Sequence, residues 1–128
     1  MSVRILIVDD EEDLVSTLQR LLQHEFPGSR VDVAFSGEEG LSWLAARSYD
    51  LLIADFRMPG FDGLELIKGV RYLDTRVPIV LMTGYGSMSI REEADQLGVN
   101  LYIAKPFDVD KMLSAVRKLL LDKIGADV

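Results

Sequence analysis

The sequence predicts an α/β fold in which strand and helix alternate five times, (βα)5, around one parallel five-stranded sheet. Three observations predict it. Five short apolar runs rich in Ile, Val and Leu recur along the 128 residues. Segments of helical period lie between them, and Gly28, Gly63, Pro78 and Gly98 mark the joints. Such an alternation implies a doubly wound sheet with helices on both faces and right-handed crossovers. The flavodoxin-like strand order 2-1-3-4-5 is its simplest closure.

The apolar runs are Val3–Val8, Val31–Phe35, Leu51–Ala54, Ile79–Met82 and Leu101–Ala104. Several lack polar alternation, as strands covered on both faces do. Leu14, Val15, Leu18, Leu21 and Leu22 form one face of a first helix, and Met112, Leu113, Val116, Leu119 and Leu120 repeat that spacing in the last. Ser36-Gly37-Glu38-Glu39 is a capping-box pattern opening a second helix that carries Leu41 and Leu44 inward. Trp43 on that helix reads as core or rim packing. A third helix is expected over about Leu64–Leu73, with Asp62 as the turn residue ahead of Gly63. The fourth, near Ser87–Leu97, has only Ile90, Ala94 and Leu97 as its stripe, which predicts a weakly anchored helix. The single histidine, His24, falls late in the first helix, where a surface position is expected.

Composition narrows the function classes. Apolar content of 48% and charged content of 27% suit one globular domain. A formal net charge of −7, with no local Lys/Arg run, argues against binding a nucleic-acid backbone. Absence of cysteine excludes disulfides and thiolate metal sites. No apolar stretch approaches the roughly 18–20 residues that span a bilayer. The start MSVRILIVDD is too short and too soon acidic for a signal peptide, so a cytoplasmic location without membrane association is expected.

In an open parallel sheet, ligands bind beyond the carboxyl ends of the strands, where strand order reverses. The first run ends in Asp9 and Asp10, the third in Asp55, the fourth in Thr83 and the fifth in Lys105-Pro106. Three carboxylates converging on one pocket cannot all stay ionised cheaply without a cation. Mg²⁺ is the natural partner, being bound through a few carboxylates, waters and phosphate oxygens, with Mn²⁺ an alternative. Lys105 supplies a mobile point charge and Thr83 a hydroxyl, both suited to phosphoryl oxygens. One carboxylate is then free to attack phosphorus, as in aspartyl-phosphate catalysis.

At these residues the chain resembles the receiver domain of two-component response regulators, over essentially its whole length. The resemblance rests on Asp9-Asp10, on Asp55 followed by Met58-Pro59 and Gly63, on Thr83-Gly84, and on Lys105-Pro106-Phe107, all in order at the strand ends. It implies that Asp55 is the phosphoacceptor. Asp9, Asp10, Asp55 and the backbone carbonyl of Arg57 would then form the metal set. It further implies that Thr83 and Lys105 contact the phosphoryl oxygens, that Gly84 leaves room for the group, and that Tyr102 is the aromatic coupled to the threonine. Arg57 and Tyr85 fall at the positions that tune hydrolysis, and a Tyr85 ring shielding the acyl phosphate would slow it. The family carries a cis peptide at the Lys105-Pro106 position, whereas an ordinary X–Pro bond favours trans.

The implied donor is a phosphohistidine on a sensor histidine kinase or phosphotransfer protein. Phosphorylation would shift the surface formed by the fourth helix, fifth strand and fifth helix, which would bind a partner or, as a phosphorylation-dependent homodimer, another copy. The receiver is expected over residues 1–124. Residues 125–128 would be a tail that either closes a free-standing receiver or begins a linker to an output domain.

Other readings compete. Asp9-Asp10 would also suit a helix N-terminus as caps, and Glu11, Glu12 and Asp13 read as a solvated first turn of which one reaches a metal through water. A Mg²⁺-dependent phosphatase of the haloacid dehalogenase type also uses an aspartate nucleophile. Its second aspartate, two residues on, would fall where this chain has Arg57. A receiver used only for binding would be expected to have lost an acid, the acceptor or the lysine, and none is lost. A switch, not a turnover enzyme, is the expectation.

Overall fold

The computed structural model describes residues 2–73, 76–84 and 88–126, leaving aside the side chains of 88, 89 and 123–126. Five strands and five helices alternate: β1 Arg4–Val8, α1 Glu12–Glu25, β2 Arg30–Ala34, α2 Gly37–Ala46, β3 Leu51–Asp55, α3 Gly63–Tyr72, β4 Ile79–Thr83, α4 Met88–Gln96, β5 Leu101–Ala104 and α5 Val109–Ala126. All pairings are parallel and the order is β2-β1-β3-β4-β5, as expected. Helix α5 continues two residues into the segment read as a tail.

Strand side chains alternate between two apolar layers. Leu6, Val8, Leu52, Ala54, Ile79, Leu81 and Tyr102 face the layer shared with α2, α3 and α4. Ile5, Ile7, Leu51, Ile53, Val80, Met82 and Ile103 face that of α1 and α5. The inner strands β1, β3 and β4 are covered on both faces, while the edge strand β5 is only partly buried. His24 is exposed, and Trp43 packs half-buried on the first layer beneath the Arg47 guanidinium, 5.1 Å from its ring centre.

Polar contacts finish the helices. The Ser36 hydroxyl accepts the Glu39 N–H at 3.1 Å, while the Glu39 carboxylate accepts from Phe35, one residue earlier than a full capping box requires. At α3 the box is complete: Asp62 accepts from Glu65, and Glu65 from Asp62. Helix α4 buries Ala94 fully, with Leu97 partly covered. Polar ties hold its C-terminal end. Arg71 on α3 donates to the carbonyls of Leu97 at 2.7 Å, Gly98 at 3.1 Å and Val77 at 3.1 Å. Lys68 pairs with Glu93 at 3.4 Å.

Candidate phosphoryl and metal site

The same alternation decides which polar side chains can meet. Asp9 continues the parity of Ile5 and Ile7, Asp55 that of Leu51 and Ile53, and Lys105 that of Leu101 and Ile103. All three therefore leave the sheet on the α1/α5 side. Thr83 has the opposite parity and shares a face with Leu81 and Tyr102.

Backbone bonds carry the strand ends into the site. Asp9 donates to Ala34 O at 3.1 Å, Phe56 to Met82 O at 2.8 Å and Lys105 to Thr83 O at 2.7 Å. Gly63 allows α3 to begin directly against the end of β3. A Cβ there would stand 2.4 Å from the Asp55 carbonyl oxygen and 2.8 Å from the Phe56 Cα, nearer than packed atoms approach. The Lys105–Pro106 peptide is cis.

The Lys105 ammonium lies 2.8 Å from Asp9 Oδ2, 3.0 Å from Glu11 Oε1 and 3.3 Å from Asp55 Oδ2. Asp9 is fully buried and Asp55 is 4% exposed. Burial pushes the Asp55 carboxyl up to about 6, and the Asp9 charge adds to that. The Lys105 charge and hydrogen bond and the Arg57 backbone N–H oppose the rise. Burial alone would lower the Lys105 ammonium, but bonds to Asp9 and Glu11 and the charges of Asp9 and Asp55 outweigh it and hold the group above its usual value.

Oxygens of Asp9, Glu11 and Asp55 lie within 4.8 Å of one another. Three carboxylates against one ammonium leave the pocket net negative, and the Asp9 charge adds to the burial that raises the Asp55 carboxyl. The donor set fits a hard divalent cation.

Asp10 is exposed and lies outside this group, while Glu11, read as part of a solvated turn, joins it. The chain is still extended at Glu11, with φ −84° and ψ 93°. The backbone bends at Asp10, and the Glu11 carboxylate reaches the Lys105 ammonium beside that of Asp9. The capping reading of Asp9 is also partly realised, since its Oδ1 accepts the Glu11 N–H at 3.0 Å, just ahead of the helix.

Arg57 stands on the loop after β3, two residues past Asp55. Thr83 is half-buried, and Gly84 opens on free space, with nothing within 4 Å of where a Cβ would stand. Tyr102 points its hydroxyl at α4, donating to Asp95 Oδ1 at 2.5 Å, with the Arg91 carbonyl at 3.2 Å. The Arg91 guanidinium lies 4.6 Å from the Tyr102 ring centre. Tyr85 lies outside the described residues.

A family model described as the response regulator receiver domain matches residues 5–117. The chain belongs to this family. As a receiver domain of two-component response regulators, it falls in a class that acts as phosphoacceptors in signalling. The receiver is 33% identical over 120 residues to sporulation initiation phosphotransferase F of Bacillus subtilis (strain 168), covering 94% of this chain and 95% of that protein. It is 38% identical over 120 residues to response regulator MprA of Mycobacterium bovis (strain BCG / Pasteur 1173P2), covering 94% of this chain but 51% of the relative. It thus spans about half the length of several curated relatives it matches. A CheY-like receiver domain protein from Methanospirillum hungatei JF-1 superposes with a TM-score of 0.92 at 26% identity, over 98% of this chain and 99% of that one. Among the described residues, no helix of the receiver is long and apolar enough to cross a membrane.

Proposed function

We propose that this receiver is a Mg²⁺-dependent phosphorylation switch that takes a phosphoryl group from a partner phosphohistidine onto Asp55. The partner is a sensor histidine kinase or a phosphotransfer protein, in the cytoplasm. One observation carries the reading: a nearly buried carboxylate, Asp55, shares a pocket with a fully buried acid, Asp9, and with the ammonium of Lys105.

Asp55 and Asp9, with Asp10 on the same loop and the Arg57 carbonyl, would hold Mg²⁺ (or Mn²⁺). When bound, the ion neutralises charge on the phosphoryl oxygens. At neutral pH a carboxyl titrating at about 6 is mostly ionised, so Asp55 is ready to act as nucleophile. A carboxylate oxygen forms the new P–O bond as the P–N bond breaks, and the electron pair stays on the leaving imidazole nitrogen. Lys105 swings onto a phosphoryl oxygen and the Thr83 hydroxyl donates to another. Little covalent work remains for the protein beyond position and charge.

Thr83 and Tyr102 share one face of the sheet, which supports their coupling of the site to α4, β5 and α5. That surface would control a partner, an attached output domain or pairing with a second copy. Arg57 and Tyr85 would tune the lifetime of the acyl phosphate. The domain modifies itself and is not a turnover enzyme.

Incubation with a phosphohistidine donor or a small acyl phosphate tests the assignment. Label should reach the wild type only with Mg²⁺ and should not reach Asp55→Asn. Full labelling of the variant would refute it.

A further inference from the structure

Glu11 has no part in the acid pair, yet it makes one of the three ion pairs of Lys105. Asp9 uses both oxygens: Oδ1 accepts the Glu11 N–H at 3.0 Å, and Oδ2 accepts Lys105 at 2.8 Å. A cation drawn to Asp9 therefore competes with the lysine for one carboxylate. The lysine side chain is 17% exposed, so an ammonium losing its best acid there would be left poorly solvated.

Glu11 is built to receive it. Its backbone is fixed from both sides, by Asp9 below and by the Val15 N–H bonded to its carbonyl at 3.0 Å. Its side chain is 61% exposed, making it a weaker and more releasable anchor than buried Asp9.

We propose that Glu11 is a positioning residue for Lys105: its carboxylate holds the ammonium when a cation engages Asp9 and releases it when a phosphoryl oxygen arrives. This rests on the reading of the site given above. Glu11 thus favours metal binding and restrains phosphoryl binding, although it need touch neither ligand.

The test is calorimetric titration with Mg²⁺, then with beryllofluoride, an acyl-phosphate mimic, at saturating Mg²⁺. Glu11 makes no side-chain cap bond in α1, so Glu11→Gln should leave the fold intact. The variant should bind Mg²⁺ roughly two- to fivefold more weakly, and beryllofluoride more tightly by a similar factor. The loss of Mg²⁺ affinity should vanish when Glu11→Gln is made in a Lys105→Met background. Glu12→Gln, removing the same formal charge one residue on, should change either affinity less. An undiminished Mg²⁺ effect without the lysine would mean that Glu11 acts on the metal itself, and overturns the proposal. So does a Glu11→Gln variant indistinguishable from a wild type that binds both ligands. A wild type that binds neither overturns the site reading and this inference together.

Discussion

Replacing Asp55 by Asn should stabilise the metal-free protein while abolishing its chemistry. The carboxyl titrates at about 6 in place of 3.8, chiefly because it is buried and secondarily because Asp9 is charged. At about 1.4 kcal/mol per tenfold change in acidity, holding Asp55 ionised costs up to about 3 kcal/mol. The sign follows from proton uptake. Between about 4 and 6 the folded protein binds more protons than the unfolded one at this residue, so its contribution to stability falls as pH rises through that window. An amide does not titrate and keeps the behaviour of the protonated acid. Urea denaturation in chelator should show little difference near pH 4, with Asp55→Asn more stable by about 1–3 kcal/mol at pH 8. Millimolar Mg²⁺ should narrow that gap, since ligand at ten times its dissociation constant adds about 1.4 kcal/mol to the wild type. A variant less stable than wild type at pH 8 in chelator, or a difference constant between pH 4 and 8, would refute the electrostatic reasoning.

Two further outcomes follow from contacts around the site. Gly63→Ala would drive a methyl into the Asp55 carbonyl and the Phe56 backbone. It should cost about 1–3 kcal/mol in urea denaturation and slow labelling of Asp55, and an unchanged variant would mean that α3 yields freely there. Burial first, and the Asp95 hydrogen bond second, raise the Tyr102 phenol to about 12. Asp95→Ala should therefore bring its ionisation, followed by phenolate absorbance, back towards 10 without reaching it. The same variant should speed amide hydrogen exchange in α4, and unchanged exchange would show that this bond does not hold the helix.

Local pattern carried much of the architecture. The i, i+4 stripes of α1 and α5 and the unbroken runs of β1, β3 and β4 report burial on one or two faces, which is a property of neighbours in sequence. Asp9, Asp55, Thr83 and Lys105 were legible for a related reason: each stands at the end of a strand, and a parallel sheet gathers strand ends on one edge. The thin stripe of α4 was legible too. Arg71, which anchors the end of that helix, was not, because its three acceptors lie 6 to 27 residues away.

Tertiary structure decided the rest. Strand register and pleat set Asp9, Asp55 and Lys105 on one side of the sheet and Thr83 with Tyr102 on the other. The bend at Asp10, closed by the Glu11 N–H on Asp9, left Asp10 exposed and brought Glu11 to Lys105, 94 residues along the chain. Composition and periodicity describe what each segment must bury, whereas partners so distant in sequence are chosen only when the sheet closes and fixes the direction of each side chain.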